Sequence, residues 1–306
     1  MQTQRIAAVV VTYNRLPLLR RCLAALAACR AACPGAALDI WVVDNASTDG
    51  TAAALAAWQD PGLHYRNTGR NLGGAGGFAW GLRAAAAETY DFYWIMDDDT
   101  LPEPGALAAL LAAHAGLGGR YGWLSSRALT PQGGDQPMNR QRRTPYRDIA
   151  GYGEALVPSV MASFVSLFVP GAVVQEYGVP IAEFFIWSDD WEYTRRISRA
   201  LPCYTVPASR VVHAMQNTAP CNIALDVPAR WERYRYFYRN DVYLYRREGP
   251  AGWLWLLCKD LWHSAQVLVR PGARKAYRLG IIWGGFAAGV RFAPPVPALA
   301  PPSEPQ

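Results

Sequence analysis

The 306 residues carry 30 Lys and Arg against 24 Asp and Glu, with 51% hydrophobic and 18% charged side chains, a balance that excludes extensive disorder and allows a substantial core. Six cysteines without a CxxC pair exclude a disulfide scaffold and point to reduced, buried thiols in a cytoplasmic protein. No window offers about 18 uninterrupted apolar residues, which argues against a spanning helix, and the first apolar run, 6–11, is too short for a secretory signal core.

Residues 5–13, RIAAVVVTY, form a short apolar run suited to a buried parallel strand. Pro17 then suits the first turn of a helix whose apolar stripe is Leu18, Leu19, Cys22, Leu23 and Leu26. LDIWVV (38–43) predicts a second strand, DNASTDGT (44–51) a turn with N-cap chemistry, and 51–58 an Ala-rich helix. LHYRN (63–67) predicts a third strand. A glycine-rich turn then enters a helix near 76–88, and YDFYWIM (90–96) is the fourth strand. This alternation implies an α/β fold with a Rossmann-like, doubly wound, mostly parallel sheet. Such sheets bind ligands beyond the C-terminal ends of their strands. Thr12-Tyr13-Asn14, Asp44 with its turn, and Asp97-Asp98-Asp99 all fall there.

Residues 131–148 are polar and turn-rich and predict a mobile loop. ASFVSLFV (162–169) predicts a strand, WSDDWEY (187–193) opens a helix, and YTVPASRVVH (204–213) is a strand ending at His213. From 221 the pattern turns helical and aromatic, and 294–306 is Pro-rich, predicting a disordered tail. The division is therefore 1–220, an α/β domain; 221–293, a helical, aromatic and basic region; and the tail. Residues 233–291 hold eleven Lys/Arg against three Asp/Glu, together with Trp253, Trp255, Trp262 and Trp283. Basic and Trp-rich, this segment suggests association with an anionic membrane surface, although a helical subdomain with solvated arginines gives the same pattern. No nucleic-acid-binding motif is present.

Aspartates at i and i+2 of an extended segment point the same way, so Asp97 and Asp99 can share one ion while Asp98 points elsewhere. All-oxygen ligation suits Mg²⁺ or Mn²⁺ completed by substrate phosphates; an acidic turn before the helix near Pro104 is the plainer reading. NLGGAGGFAWG (71–81) fits a GxGxxA dinucleotide fingerprint but follows the third strand rather than the first, so a diphosphate cradle, or simply a turn, competes with dinucleotide binding. Asp44 can accept from a ribose or base, or close its own turn. Asp189, three residues before Glu192, fits a capping box. Asp190 would then lie in the first helical turn, where it could serve as general base toward a sugar hydroxyl, flanked by Trp187 and Trp191.

Together, VVVTYNR, VVDNASTDGT, NLGGAGGF, WIMDDDT, FFIWSDDWEY and VPASRVVH, in this order across roughly 5–213, resemble family 2 inverting glycosyltransferases with a GT-A fold. NLGGAGGF with the triple Asp is most similar to the galactofuranosyltransferase branch and its rhamnosyltransferase relatives. The resemblance implies that Thr12, Tyr13, Asn14 and Asp44 hold the uracil and ribose, and that Arg70, Asn71, Gly73, Gly74, Gly76, Gly77 and Asp98 line the donor site. It also implies that Asp97, Asp99 and His213 bind Mn²⁺ or Mg²⁺, that Asp190 is the base, and that Trp187, Asp189 and Trp191 meet the acceptor. Relatives often place Trp directly before the paired acids, whereas Ser188 intervenes here. The implied partners are a nucleotide-sugar donor, UDP-galactofuranose favoured over dTDP-rhamnose, and a glycan or polyprenyl-linked glycan acceptor in cell-surface polysaccharide synthesis. The implied location is the inner face of the cell membrane, as a peripheral protein, and a homo-oligomer is compatible. A nicotinamide-dependent oxidoreductase and a binding module without turnover are the competing classes.

Overall fold

In the computed structural model, which describes residues 3–215 and 221–299, the four predicted strands lie side by side. They are β1 (Gln4–Thr12), β2 (Ala36–Asp44), β3 (Leu63–Asn67) and β4 (Phe92–Asp97), all parallel in the order β3-β2-β1-β4. Alternation of β1 explains the two faces. Ala7, Val9 and Val11 pack with Phe78, Ala79 and Leu82 of α3 (Gly73–Ala85), while Ile6, Ala8 and Val10 pack with Leu19, Leu23 and Leu26 of α1 (Leu16–Ala32). A short α2 (Thr51–Ala56) joins β2 to β3.

Beyond β4 the chain makes β5 (Thr100–Pro102), α4 (Ala106–Leu117) and β6 (Leu124–Leu129), then the short strands β7 (Arg142–Thr144), β8 (Arg147–Asp148) and β9 (Val157–Pro158). β10 (Leu167–Pro170), α5 (Gly171–Tyr177), α6 (Asp189–Ser198) and β11 (Tyr204–His213) complete the sheet domain. β10 inserts antiparallel between β4 and β6, β11 runs parallel to β6, and β5 pairs antiparallel with the end of β11. That last pairing sets Thr100 against His213 and so carries the histidine to the aspartates ending β4.

Two expectations are corrected here. The 131–148 segment is pinned rather than loose: Gln141 donates to Ser125 Oγ and Ser126 O at 2.9 Å, Arg142 exchanges backbone hydrogen bonds with Met161 and Val160, and Gln136 and Asn139 are buried. Three of its polar side chains, Gln136, Asn139 and Gln141, face inward and replace the periodicity that would have marked order. The Pro-rich tail likewise packs over 294–299. Pro297 O accepts from Val179 N at 3.0 Å, Ala298 O accepts from Arg83, and Leu299 is buried. Proline lacks an N–H but keeps an accepting carbonyl, so a Pro-rich strap can be held by donors from elsewhere. Residues 300–306 lie outside the described residues, as does the expected boundary at 220.

The C-terminal layer comprises α7 (Tyr234–Tyr245), α8 (Gly249–Val269) and α9 (Lys275–Arg291), joined around Tyr234, Tyr238, Val267, Ile281 and Ile282. Gly289 and Gly285 of α9 lie against Arg239, Val242 and Tyr238 of α7, so closely that a Cβ would stand 2.6–2.7 Å from its nearest neighbour. No helix among the described residues is long and apolar enough to cross a membrane.

Candidate active site

Asp97, Asp99 and His213 converge at the C-terminal end of β4, with one ligand atom from each lying within 4.8 Å of the others. Asp98 points away, as the strand alternation predicts: its Oδ2 accepts from Thr12 Oγ1 at 2.7 Å and its Oδ1 lies 3.4 Å from Arg15. Arg15, unmarked in the sequence reading, also donates to Asp99 Oδ2 at 2.9 Å. Asp99 Oδ1 is buried and makes no hydrogen bond, although His213 Nε2 stands 3.1 Å away outside bonding geometry. His213 Nδ1 is 2.7 Å from Asn139 Oδ1, and Asn139 Nδ2 donates to Ser163 at 3.0 Å. The asparagine oxygen therefore accepts, the proton sits on Nδ1, and Nε2 is the ring nitrogen that faces the aspartates.

Burial, then the Asp99 charge, push the Asp97 carboxyl up to about 7. Burial lifts Asp98 to about 6 despite Thr12 and Arg15. For Asp99 burial is outweighed by His213 and Arg15, which hold it below the usual carboxylate range. Two carboxylates, an imidazole nitrogen turned toward them, an orphaned buried oxygen and an Asp97 carboxyl raised by burial and by its neighbour's charge fit a divalent cation.

A cleft of about 580 Å³ is lined by this cluster and also by Asp189, Asp190, Trp187 and Trp191. Asp190 lies in the first turn of α6, and its Oδ1 accepts from Trp191 N at 2.7 Å. Burial, then Asp189, raise its pKa well above the ordinary value; Asp97 adds to the same direction. Asp189 itself is buried and pushed up to about 7. The capping box is not formed. Ser188 holds the cap position at φ 63° and gives its hydroxyl to Asp241 at 2.6 Å, while Glu192 pairs with Arg196. Trp187 packs tilted against Tyr234 and edge-to-face with Phe237, so this half-buried ring is partly core, and Trp191 lies under Arg142.

The glycine segment needs a larger correction. It is not a turn before a helix: Gly73, Gly74, Gly76 and Gly77 form the first turns of α3. Gly73, at φ 72°, has Phe185 O 2.1 Å from where a Cβ would stand, and the Ala75 N–H two residues on donates to that carbonyl at 3.3 Å. Gly77, and Gly81 farther on, let α3 settle on Val11, Val9 and Val43, and Gly76 abuts Leu72. Of the four glycines assigned to the donor site, Gly74 alone opens into the cleft.

At the other strand ends, Asp44 closes its own turn through Ser47 N at 2.8 Å and takes Tyr65 OH at 2.7 Å. Thr12 is committed to Asp98, Asn14 ties to Ser47 and Thr48, and Asn71 accepts from Gly73 N. Tyr13 and Arg70 are exposed.

Comparison with known proteins gives the family. Residues 7–147 match Glycosyl transferase family 2. Galactofuranosyltransferase GlfT1 of Mycolicibacterium smegmatis is 30% identical over 280 residues, covering 82% of this chain and 88% of that protein. The chain belongs to glycosyltransferase family 2. GlfT1 of Mycobacterium tuberculosis is 29% identical over 289 residues, 89% of this chain and 85% of its own length; the family 2 enzyme described here thus lies near the galactofuranosyltransferase branch. Among solved structures, mannosyltransferase PcManGT from Pyrobaculum calidifontis, in complex with GDP-Man and Mn²⁺, superposes with TM-score 0.56 at 17% identity, over 96% of this chain and 77% of its own. TarS from S. aureus in complex with UDP does so with TM-score 0.52 at 15% identity, over 95% and 73%. Both share the GT-A fold. Membership of family 2 sets aside the oxidoreductase and the turnover-free module: the chain is a glycosyltransferase.

The sequence reading missed Arg15, Asn139, Asn240 and Asp241. Only the last two carried a signal, an Arg-Asn-Asp interruption in the aromatic helix YRYFYRNDVYLY.

Proposed function

We propose that this glycosyltransferase is an inverting, metal-dependent enzyme that moves galactofuranose from UDP-galactofuranose to a glycan or lipid-linked glycan in cell-surface polysaccharide synthesis. The observation carrying this reading is that Asp97, Asp99 and His213 line one cleft together with Asp190. The donor sugar is inferred from the two GlfT1 relatives. The nucleotide is inferred from the donors and UDP named for the two solved neighbours.

Asp97, Asp99 and His213 would hold Mn²⁺ or Mg²⁺, which when bound supplies positive charge against a leaving diphosphate. Asp190 takes the proton of the acceptor hydroxyl as that oxygen bonds to the anomeric carbon. The bond from that carbon to the diphosphate oxygen breaks on the opposite face, so one displacement inverts configuration. A raised pKa makes Asp190 a stronger base than a surface carboxylate. Asp98, engaged by Thr12, fixes the strand end rather than meeting the donor.

The C-terminal helices supply an anionic-membrane contact at the inner face of the cell membrane. Every exposed residue of α8 is apolar, including Trp253, Leu254, Leu261 and Trp262, and Arg270 and Arg274 follow at its end.

The function is tested by incubating the full chain and Mn²⁺ with UDP-galactofuranose, dTDP-rhamnose and other nucleotide sugars, using a glycolipid extract as acceptor. Nucleoside diphosphate release is the readout. Release from UDP-galactofuranose that disappears in Asp190→Asn, with Mn²⁺–UDP binding retained, is the expected result. Release from dTDP-rhamnose alone would move the donor to the rhamnosyl branch, and full transfer by Asp190→Asn would remove Asp190 as base.

A further inference from the structure

The segment that delivers Asp190 to the cleft is strained. Phe185, at φ 62° and ψ −58°, is the middle of a γ-turn closed by Ile186 N–H on Phe184 O at 2.7 Å. Trp187 and Ser188 follow at φ 66° and 63°. None of the three is glycine, and such conformations persist only where their surroundings over-determine them.

The constraint comes from α7. Asn240 is fully buried, and its Nδ2 donates to three carbonyls of this one loop: Phe184 O at 2.9 Å, Ile186 O at 3.1 Å and Trp187 O at 2.9 Å. Its Oδ1 accepts from Arg239 Nε and Nη2 at 3.0 and 2.9 Å, which fixes the amide with its hydrogens toward the loop. One residue on, Asp241 accepts from Ser188 Oγ and ion-pairs with Lys259 of α8. Three carbonyl dipoles aimed at one point repel one another unless a donor stands there. An amide at this position supplies two N–H groups; a carboxylate would supply none.

We propose that Asn240 is a positioning residue for glycosyl transfer, holding the 184–188 loop in the shape that presents Asp190 to the acceptor hydroxyl. The inference rests on Asp190 acting as base, as proposed above. It gives the C-terminal helices a part in the chemistry beyond any contact with lipid. It also separates two halves of the site: the acceptor wall depends on α7, while the ends of β1, β2 and β4 do not.

The experiment compares Asn240→Ala and Asn240→Asp with the unaltered full chain in three readouts. These are hydrogen exchange over 183–191, Mn²⁺–UDP affinity, and transfer kcat with the donor and acceptor found by the panel above. Faster exchange confined to 183–191, a Kd for Mn²⁺–UDP within twofold of the unaltered chain, and a kcat at least tenfold lower support the proposal. A kcat within twofold despite faster exchange, exchange that does not change, or a parallel loss of Mn²⁺–UDP affinity overturns it. Ser188→Ala, which frees the same loop from Asp241, should shift the same readouts less and stands in should the Asn240 variants not fold. Asp190→Asn in the same assay separates the two ideas. Inactive Asp190→Asn beside normal Asn240→Ala defeats only the positioning role, whereas active Asp190→Asn defeats the base assignment and this inference with it.

Discussion

His263 is 8% exposed, accepts or donates through Nδ1 with Tyr238 OH at 2.9 Å, and has its pKa lowered to about 4 by burial, then by Lys259. An unfolded histidine titrates near 6.5, so below that pH the unfolded chain gains a proton that the folded chain refuses until about pH 4. Stability from this residue is therefore complete above about pH 6.5 and is lost as pH falls toward 4, by on the order of 3 kcal/mol. Asp189 and Asp260, held up to about 7 and 6 by burial, work in the opposite direction, so the contribution must be read by difference. Urea midpoints of His263→Gln and the unaltered chain should converge between pH 6.5 and 4; parallel curves would refute the assignment. Asn139 is the second residue to test. On the metal reading, Asn139→Leu removes the acceptor that fixes the His213 tautomer and should weaken Mn²⁺ binding about 10–100-fold, read by calorimetry without substrate. Asp97 and Asp99 were legible because they end an apolar strand and strand alternation makes them share a side. Asn139 was not, because one asparagine in a turn-rich stretch has no period, and only the folded β11 reveals its partner.

The parallel strands were readable because burial on both faces demands continuous apolar runs, which β1 and β4 carry unbroken and β2 interrupts only at Asp39. β5 is three residues long, too short for any period, yet it is the element that carries His213 to the aspartates. The glycines of α3 misled for a physical reason. Glycine serves a ligand's close approach and a helix's close packing equally well, and sequence does not say which. Gly81 decides between them here, since a Cβ would stand 2.6 Å from Val43 Cγ2 and 2.7 Å from Val9 Cγ1. Gly81→Ala should lift α3 from the sheet and destabilise the chain by about 1–3 kcal/mol, seen in thermal melts. Gly74→Ala, with nothing within 4 Å, should leave melting unchanged. Equal stability of both variants would mean that α3 is free to shift.

For the molecule as a whole, one helix separates two environments. The inner side of α8 sends Lys259 and His263 toward the cleft, while its exposed side carries Trp253, Leu254, Leu257, Leu261, Trp262 and Leu268 without an intervening charge. A globular protein gains nothing by showing water a stripe of that length, and contiguous apolar patches of this kind mark contacts. Trp at the edge of such a stripe with Arg270 and Arg274 beyond it favours a lipid interface carrying negative charge over a purely apolar partner. The full chain should therefore float with vesicles containing phosphatidylglycerol at low ionic strength and float less at about 0.5 M salt, where charges are screened within a few ångströms. Burying a Leu or Trp side chain is worth about 1.5–3 kcal/mol, so Leu261→Glu with Trp262→Glu should weaken flotation at least about 100-fold. Mn²⁺–UDP affinity should stay unchanged in that variant, because both side chains point away from the cleft. Flotation that survives the double substitution would assign the membrane contact to another surface, and failure of the unaltered chain to float at low salt would remove it altogether.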